Sequence, residues 1–171
     1  MRRIKSITIV VAVCAFSLSC ITTEKVGHRY IKIINFSNVD LTCQELWKGL
    51  ISEQDTIFTC HLLSNYIIPA DSSVLIVGGT VRNCGWECDF EVIPCIQFIF
   101  MEKERFDYYY YYYGVKDESR CDSVRKNVPI LQRYRLKLED LQKLDWTVAY
   151  PPTEAMKDMD IYPPYREASD N

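Results

Sequence analysis

Six cysteines at positions 43, 60, 84, 88, 95 and 121 are the side chains of this chain best equipped for covalent or metal chemistry. Cys84-Gly85-Trp86-Glu87-Cys88 brings two thiols close together, and Cys95 follows within a few residues. Thiolates so placed can hold zinc or cycle between dithiol and disulfide. Both tasks ordinarily use two intervening residues, whereas here the intervals are three and then six. Structural disulfides are the expected use of an even number of cysteines in an exported chain. Six thiols allow fifteen complete pairings, and Cys43 with Cys60 is the favoured pair because each closes an expected strand.

The remaining catalytic inventory is thin. His28 and His61 are the only histidines, and neither has an orienting carboxylate beside it in sequence. Nucleophile elbow, phosphate loop, dinucleotide fingerprint and His-Glu-x-x-His are all missing. Val77-Gly78-Gly79-Thr80 reads as a turn, because no helix-forming sequence follows it. No cofactor and no resident metal are expected, and the chain reads as a non-enzyme.

Tyr108, Tyr109, Tyr110, Tyr111, Tyr112 and Tyr113 form an unbroken row. In an extended conformation alternate rings fall on opposite faces. The row is therefore expected as a strand with one face packed inward and the other presenting rings to a protein or glycan partner.

These residues sit in a chain with the marks of export. Met1-Arg2-Arg3-Ile4-Lys5 is cationic, Ile7 to Phe16 is mostly apolar, and Ser17-Leu18-Ser19-Cys20 follows. The apolar run is about half the ~20 residues a membrane-spanning helix needs, so the segment reads as a signal peptide. Ser19 supplies the small residue needed just before a cleavage point, which makes Cys20 the expected acylated first residue of a lipoprotein. Leu18 sits one place later than the usual lipobox leucine. Cys14 competes poorly because bulky Val13 precedes it. The expected place is the cell envelope, on the outer membrane, with the membrane itself as a partner through the lipid anchor. A net charge of −3 with scattered Lys and Arg gives no footprint for nucleic acid.

The elements that would carry these groups are mostly short strands. Tyr30 to Phe36 is β-branched and aromatic, Ser37-Asn38 breaks it, and Val39 to Cys43 resumes, which predicts a hairpin. Further strands are expected over Thr56 to His61, Tyr66 to Ile68, Val74 to Val77, Ile96 to Met101, Ile130 to Leu136 and Trp146 to Tyr150. Leu138, Leu141 and Leu144 recur on one face of a single short helix, whose dipole Glu139 and Asp140 favour. The expected fold class is all-β and mainly antiparallel: a β-sandwich, Ig-like or transthyretin-like, with one short helix near the C-terminus. Trp86 and Trp146 are its expected core anchors, and Trp47 is placed on a rim. The organisation follows as a signal over 1–19, a lipidated tether over 20–29, the sandwich over 30–150 and a disordered tail over 151–171, read from its Pro-Pro, Met and Asp content.

One set of residues carries a resemblance. Tyr30 to Phe36, Cys84-Gly85-Trp86-Glu87, Ile99-Phe100, and above all Ile130-Leu131-Gln132-Arg133-Tyr134 through Leu138-Glu139-Asp140-Leu141 to Asp145-Trp146-Thr147-Val148 and Tyr150-Pro151 are the residues concerned. Together they resemble a group of small lipoproteins of unknown function from Bacteroidota-type bacteria, whose endings read like LKRYxLTLEDLxxLNWTITYP. The resemblance implies an envelope domain and supplies no catalytic residues. Where that group usually has Ser or Thr before the helix, this chain has Lys137, which cannot accept from backbone N–H groups. The expected function is a non-enzymatic binding or accessory module on a membrane. A thiol- or metal-dependent envelope enzyme using Cys84, Cys88 and Cys95 is the alternative, and a structural subunit of a fimbria-like assembly is another.

Overall fold

The computed structural model describes residues 27–47, 65–78, 85–112 and 117–166. Its frame is two sheets facing each other. The smaller contains β4 (Ser72–Val77), β1 (Tyr30–Asn35) and β7 (Thr147–Tyr150) in that order. The larger is β3 (Asn65–Ile68), β2 (Leu41–Trp47), β5 (Ile96–Glu102), β6 (Gln132–Leu136) and β8 (Asp160–Tyr162). All neighbours are antiparallel except β1 and β7, which run parallel. Inward residues of both sheets, Ile31, Ile33, Ile76 and Val148 from one and Leu41, Ile68, Phe98, Phe100 and Tyr134 from the other, share one core with Trp86 and Trp146.

The hairpin expected over Tyr30 to Cys43 does not form. β1 pairs with β4 and β7, whereas β2 lies in the other sheet. Asn35 explains the crossing. Its side chain is fully buried, and Nδ2 lies 2.8 Å from the Val39 carbonyl, 3.2 Å from that of Ile68 and 3.0 Å from that of Pro69. Its Oδ1 accepts from the Ser37 N–H at 3.0 Å and the Ser37 hydroxyl at 2.6 Å. The side chain thus satisfies backbone groups of two sheet-crossing corners, β1 to β2 and β3 to β4, which ladder hydrogen bonds would otherwise serve.

The helices are also more numerous than the single one expected. Besides α4 (Leu138–Lys143) there are α1 (Trp86–Asp89), α2 (Lys103–Asp107) and α3 (Asp117–Asn127). The start of α4 is closed without a capping residue at Lys137, because Asp140 reaches back and accepts its N–H at 2.9 Å. The tyrosine row is not a strand: Tyr108–Tyr112 continues α2 as a π-helical turn, and Tyr113 lies outside the described residues. This helical stretch lies on the outer face of the larger sheet, where Leu46, Ile99, Met101, Phe106, Val124 and Val128 form a second cluster. Burial on both faces accounts for the continuous apolar run Phe98 to Met101.

The expected disordered tail is part of the domain as far as it is described. A 3₁₀ turn at Glu154–Met156 buries Met156, and β8 pairs with β6 and buries Ile161. Beside them the Gln132 side-chain amide donates to the Pro163 carbonyl at 2.6 Å. Isolated apolar residues in a polar stretch suffice here because a waiting strand edge supplies the rest. The strand expected over Thr56 to His61 lies outside the described residues.

Candidate functional site

The cysteines separate into unlike environments. Cys43 carries a free thiol and is fully buried in the core on β2, which overturns the favoured Cys43 to Cys60 bridge. Burial, aided by the negative charge of Glu45, pushes that thiol well above its ordinary range, the opposite of what a nucleophile needs. Cys95 is likewise free and buried, so it too leaves the set of bridge candidates. Cys88 on α1 is disulfide-bonded. Cys20, Cys60 and Cys84 lie outside the described residues, as does the side chain of Cys121. Among the described residues no group of three His, Cys, Asp or Glu side chains is placed to hold a metal ion.

Between Cys84 and Cys88, the residues Gly85, Trp86 and Glu87 are explained by packing and hydrogen bonding. Gly85 has φ +85, and a side chain there would meet the Gly27 carbonyl carbon at 2.6 Å. Trp86 is fully buried and lies so close to Gly78 that an added Cβ would fall 2.1 Å from its Cε2. Glu87 receives the start of the fold: Oε2 accepts the His28 N–H at 2.7 Å, and Oε1 lies 2.6 Å from His28 Nδ1. The imidazole stacks on Trp146, with ring centroids 4.4 Å apart. Trp146 itself sits at φ 56, held by its N–H to the Leu141 carbonyl at 2.8 Å and by its carbonyl accepting from Lys32 at 2.9 Å. Partial burial raises the Glu87 pKa, but hydrogen bonds from the His28 side chain and from backbone N–H groups outweigh it and leave the carboxyl below its usual value. Local sequence reading misses this partner because His28 and Glu87 stand 59 positions apart.

The tyrosine row offers the chain's clearest surface. Phe106 and Tyr110, one helical turn apart, stack at 5.2 Å, and Tyr109 and Tyr110 pack on the second cluster. Tyr108 and Tyr111 point outward, 50% and 61% exposed. Each meets its inward neighbour edge to face, Tyr108 with Tyr109 at 5.0 Å and Tyr110 with Tyr111 at 4.9 Å. A ring held by a packed neighbour loses little freedom when a ligand stacks on it.

Tyr108 also borders an open cleft of about 590 Å³ between the β1–β2 corner and α2, lined by Asn38, Asp40, Glu102, Lys103, Glu104 and Asp107. Its wall is braced: the Lys103 N–H donates to the Asp40 carbonyl at 2.9 Å, and Asp40 Oδ1 accepts from Ala70 at 2.9 Å. The Lys103 ammonium donates to Asp107, and that hydrogen bond holds it firmly as a cation. An aromatic ring beside carboxylates, an amide and one ammonium can stack on an apolar ligand face while meeting its hydroxyl or amino groups. The chain matches no protein-family model, no curated protein sequence and no solved structure.

Proposed function

We propose that the chain is a lipid-anchored, non-enzymatic binding module of the cell envelope, and that the cleft beside Tyr108 carries recognition of a glycan or protein partner. The observation that carries the recognition half is the exposed Tyr108 ring, braced by Tyr109, at the mouth of the polar cleft. The export signal ending in Ser19-Cys20 and the resemblance to envelope lipoproteins support the anchoring half. On this reading the two facing sheets are an Ig-like or transthyretin-like sandwich serving as a rigid support, with the helical stretch on the larger sheet as the recognition surface.

Among the described thiols, Cys43 and Cys95 are buried and Cys88 is disulfide-bonded, which favours structural roles for these three over the thiol- or metal-enzyme alternative. The proposal is tested by glycan-array binding and by pull-down from envelope extracts, with the Tyr108→Ser protein alongside. Loss of binding with an unchanged melting temperature supports it. Binding that survives the substitution overturns the placement at the cleft.

A further inference from the structure

The two sheets treat their outer faces differently. The larger one is covered by the helical stretch, whereas in the smaller one outward residues of β1 and β4 are largely exposed among the described residues. Strand alternation and the β1–β4 register put Tyr30, Lys32 and Ile34 on that outer face, with Val77 opposite Tyr30 and Leu75 opposite Lys32, and exposed Phe36 follows just beyond the end of β1. Tyr30 is 49% exposed, Leu75 54%, Val77 57% and Phe36 59%. A solvated sheet face is normally polar, so a row of this kind marks a contact surface.

We propose that this face lies on the lipid surface that holds the acylated Cys20, an inference that rests on the anchoring reading above. Reach is the first argument. Six residues lie between Cys20 and Gly27, where the described structure begins, and the seven chain steps joining them span at most about 25 Å. Tyr30 and Val77 pair at the start of β1, so the rung nearest the anchor belongs to the apolar face. The anchor therefore brings this face within reach of the bilayer.

Charge and residue type are the second argument. The outward strand positions of the sheet carry one cation, Lys32, and exposed Arg29 stands just before Tyr30; the flanking carboxylate Asp71 lies at the opposite end, where it lines a shallow pocket with Lys32, Ile34 and Phe36. Aromatic rings with neighbouring cations suit the boundary between headgroups and acyl chains, where the rings sit at headgroup depth and Lys stems cover apolar surface. Docking of this kind leaves the helical stretch on the other outer face directed away from the lipid.

The test uses the full acylated protein in phosphatidylethanolamine–phosphatidylglycerol vesicles whose acyl chains carry bromine, a short-range quencher of indole fluorescence. Leu75→Trp places a reporter on the face, and Val92→Trp, at an exposed turn position after α1, serves as control. Loss of the added fluorescence at position 75 with retention at position 92 is the expected result. Equal retention at both positions, with fatty acid shown on Cys20, overturns the docking and leaves the anchor intact. A position-75 reporter that bromine does not reach, together with cross-links between copies, shows self-association through this face and also overturns it. Absence of fatty acid on Cys20 removes the anchoring reading, and the inference falls with it.

Discussion

The Nδ1 atom of His28 lies 2.6 Å from Oε1 of Glu87, while its ring lies flat on Trp146. Two distant parts of the chain, at Glu87 and Trp146, thereby close over the first described residues. The pairing fixes where the chain enters the sandwich at His28, and under the proposed attachment at Cys20 it ties that anchor to the orientation of the domain. Replacing Glu87 by Gln should destabilise the fold by about 0.5 kcal/mol, the scale of a partly exposed ion pair. The Glu87 pKa is lowered on folding, so its contribution is fully present above the unfolded value of about 4.5 and is lost as pH falls through the lower folded value. Urea melts of both proteins across that range should converge in acid and separate above it.

Asn35 is the strongest structural prediction. Asn35→Ala leaves backbone carbonyls at both sheet-crossing corners without their donor, at about 1–3 kcal/mol for each buried group left unsatisfied. A loss of about 3 kcal/mol in chemical denaturation is expected. A loss below about 1 kcal/mol would show that the corners hold without it.

Gly78→Ala should be costly although alanine is small. The added methyl meets the buried Trp86 ring, and forcing an extra carbon into a packed core costs about 1–3 kcal/mol. Thermal melts of the purified domain measure the shift, and an unchanged midpoint would contradict the packing of Trp86 under Gly78.

Thiol accessibility checks the cysteine assignment. Cys43 and Cys95 should resist iodoacetamide in the native protein and react fully in denaturant, without prior reduction. Recovery of a Cys43–Cys60 peptide from non-reduced digests would contradict the free thiol.

Several elements were legible in the residues because their patterns are local. Strands near Tyr66 to Ile68, Val74 to Val77, Ile96 to Met101 and Trp146 to Tyr150 appear within a few positions of where alternation and turn residues placed them. Partnership was not legible. Ser37-Asn38 is a good turn in either a hairpin or a sheet crossing, and only the distant carbonyls met by Asn35 decide between them. Six identical tyrosines erase the difference between a period of two and one of 3.6, so the row alone suits a strand as well as a helix; the stacking of Tyr110 on Phe106 and the apolar cluster beneath favour the helical turn. Met156 and Ile161 looked unsupported in a polar tail because their partners lie in other parts of the chain. The cleft at Tyr108 was legible only in its aromatic half, since Asn38 and Asp40 reach it through the fold.

Attachment at Cys20 underlies both the proposed function and the proposed orientation. Cells expressing the full chain or its Cys20→Ala variant are given labelled fatty acid, and the protein is recovered from membrane and soluble fractions. The account predicts a labelled, membrane-bound full chain and an unlabelled variant released from the membrane. Equal labelling of the two proteins would contradict it.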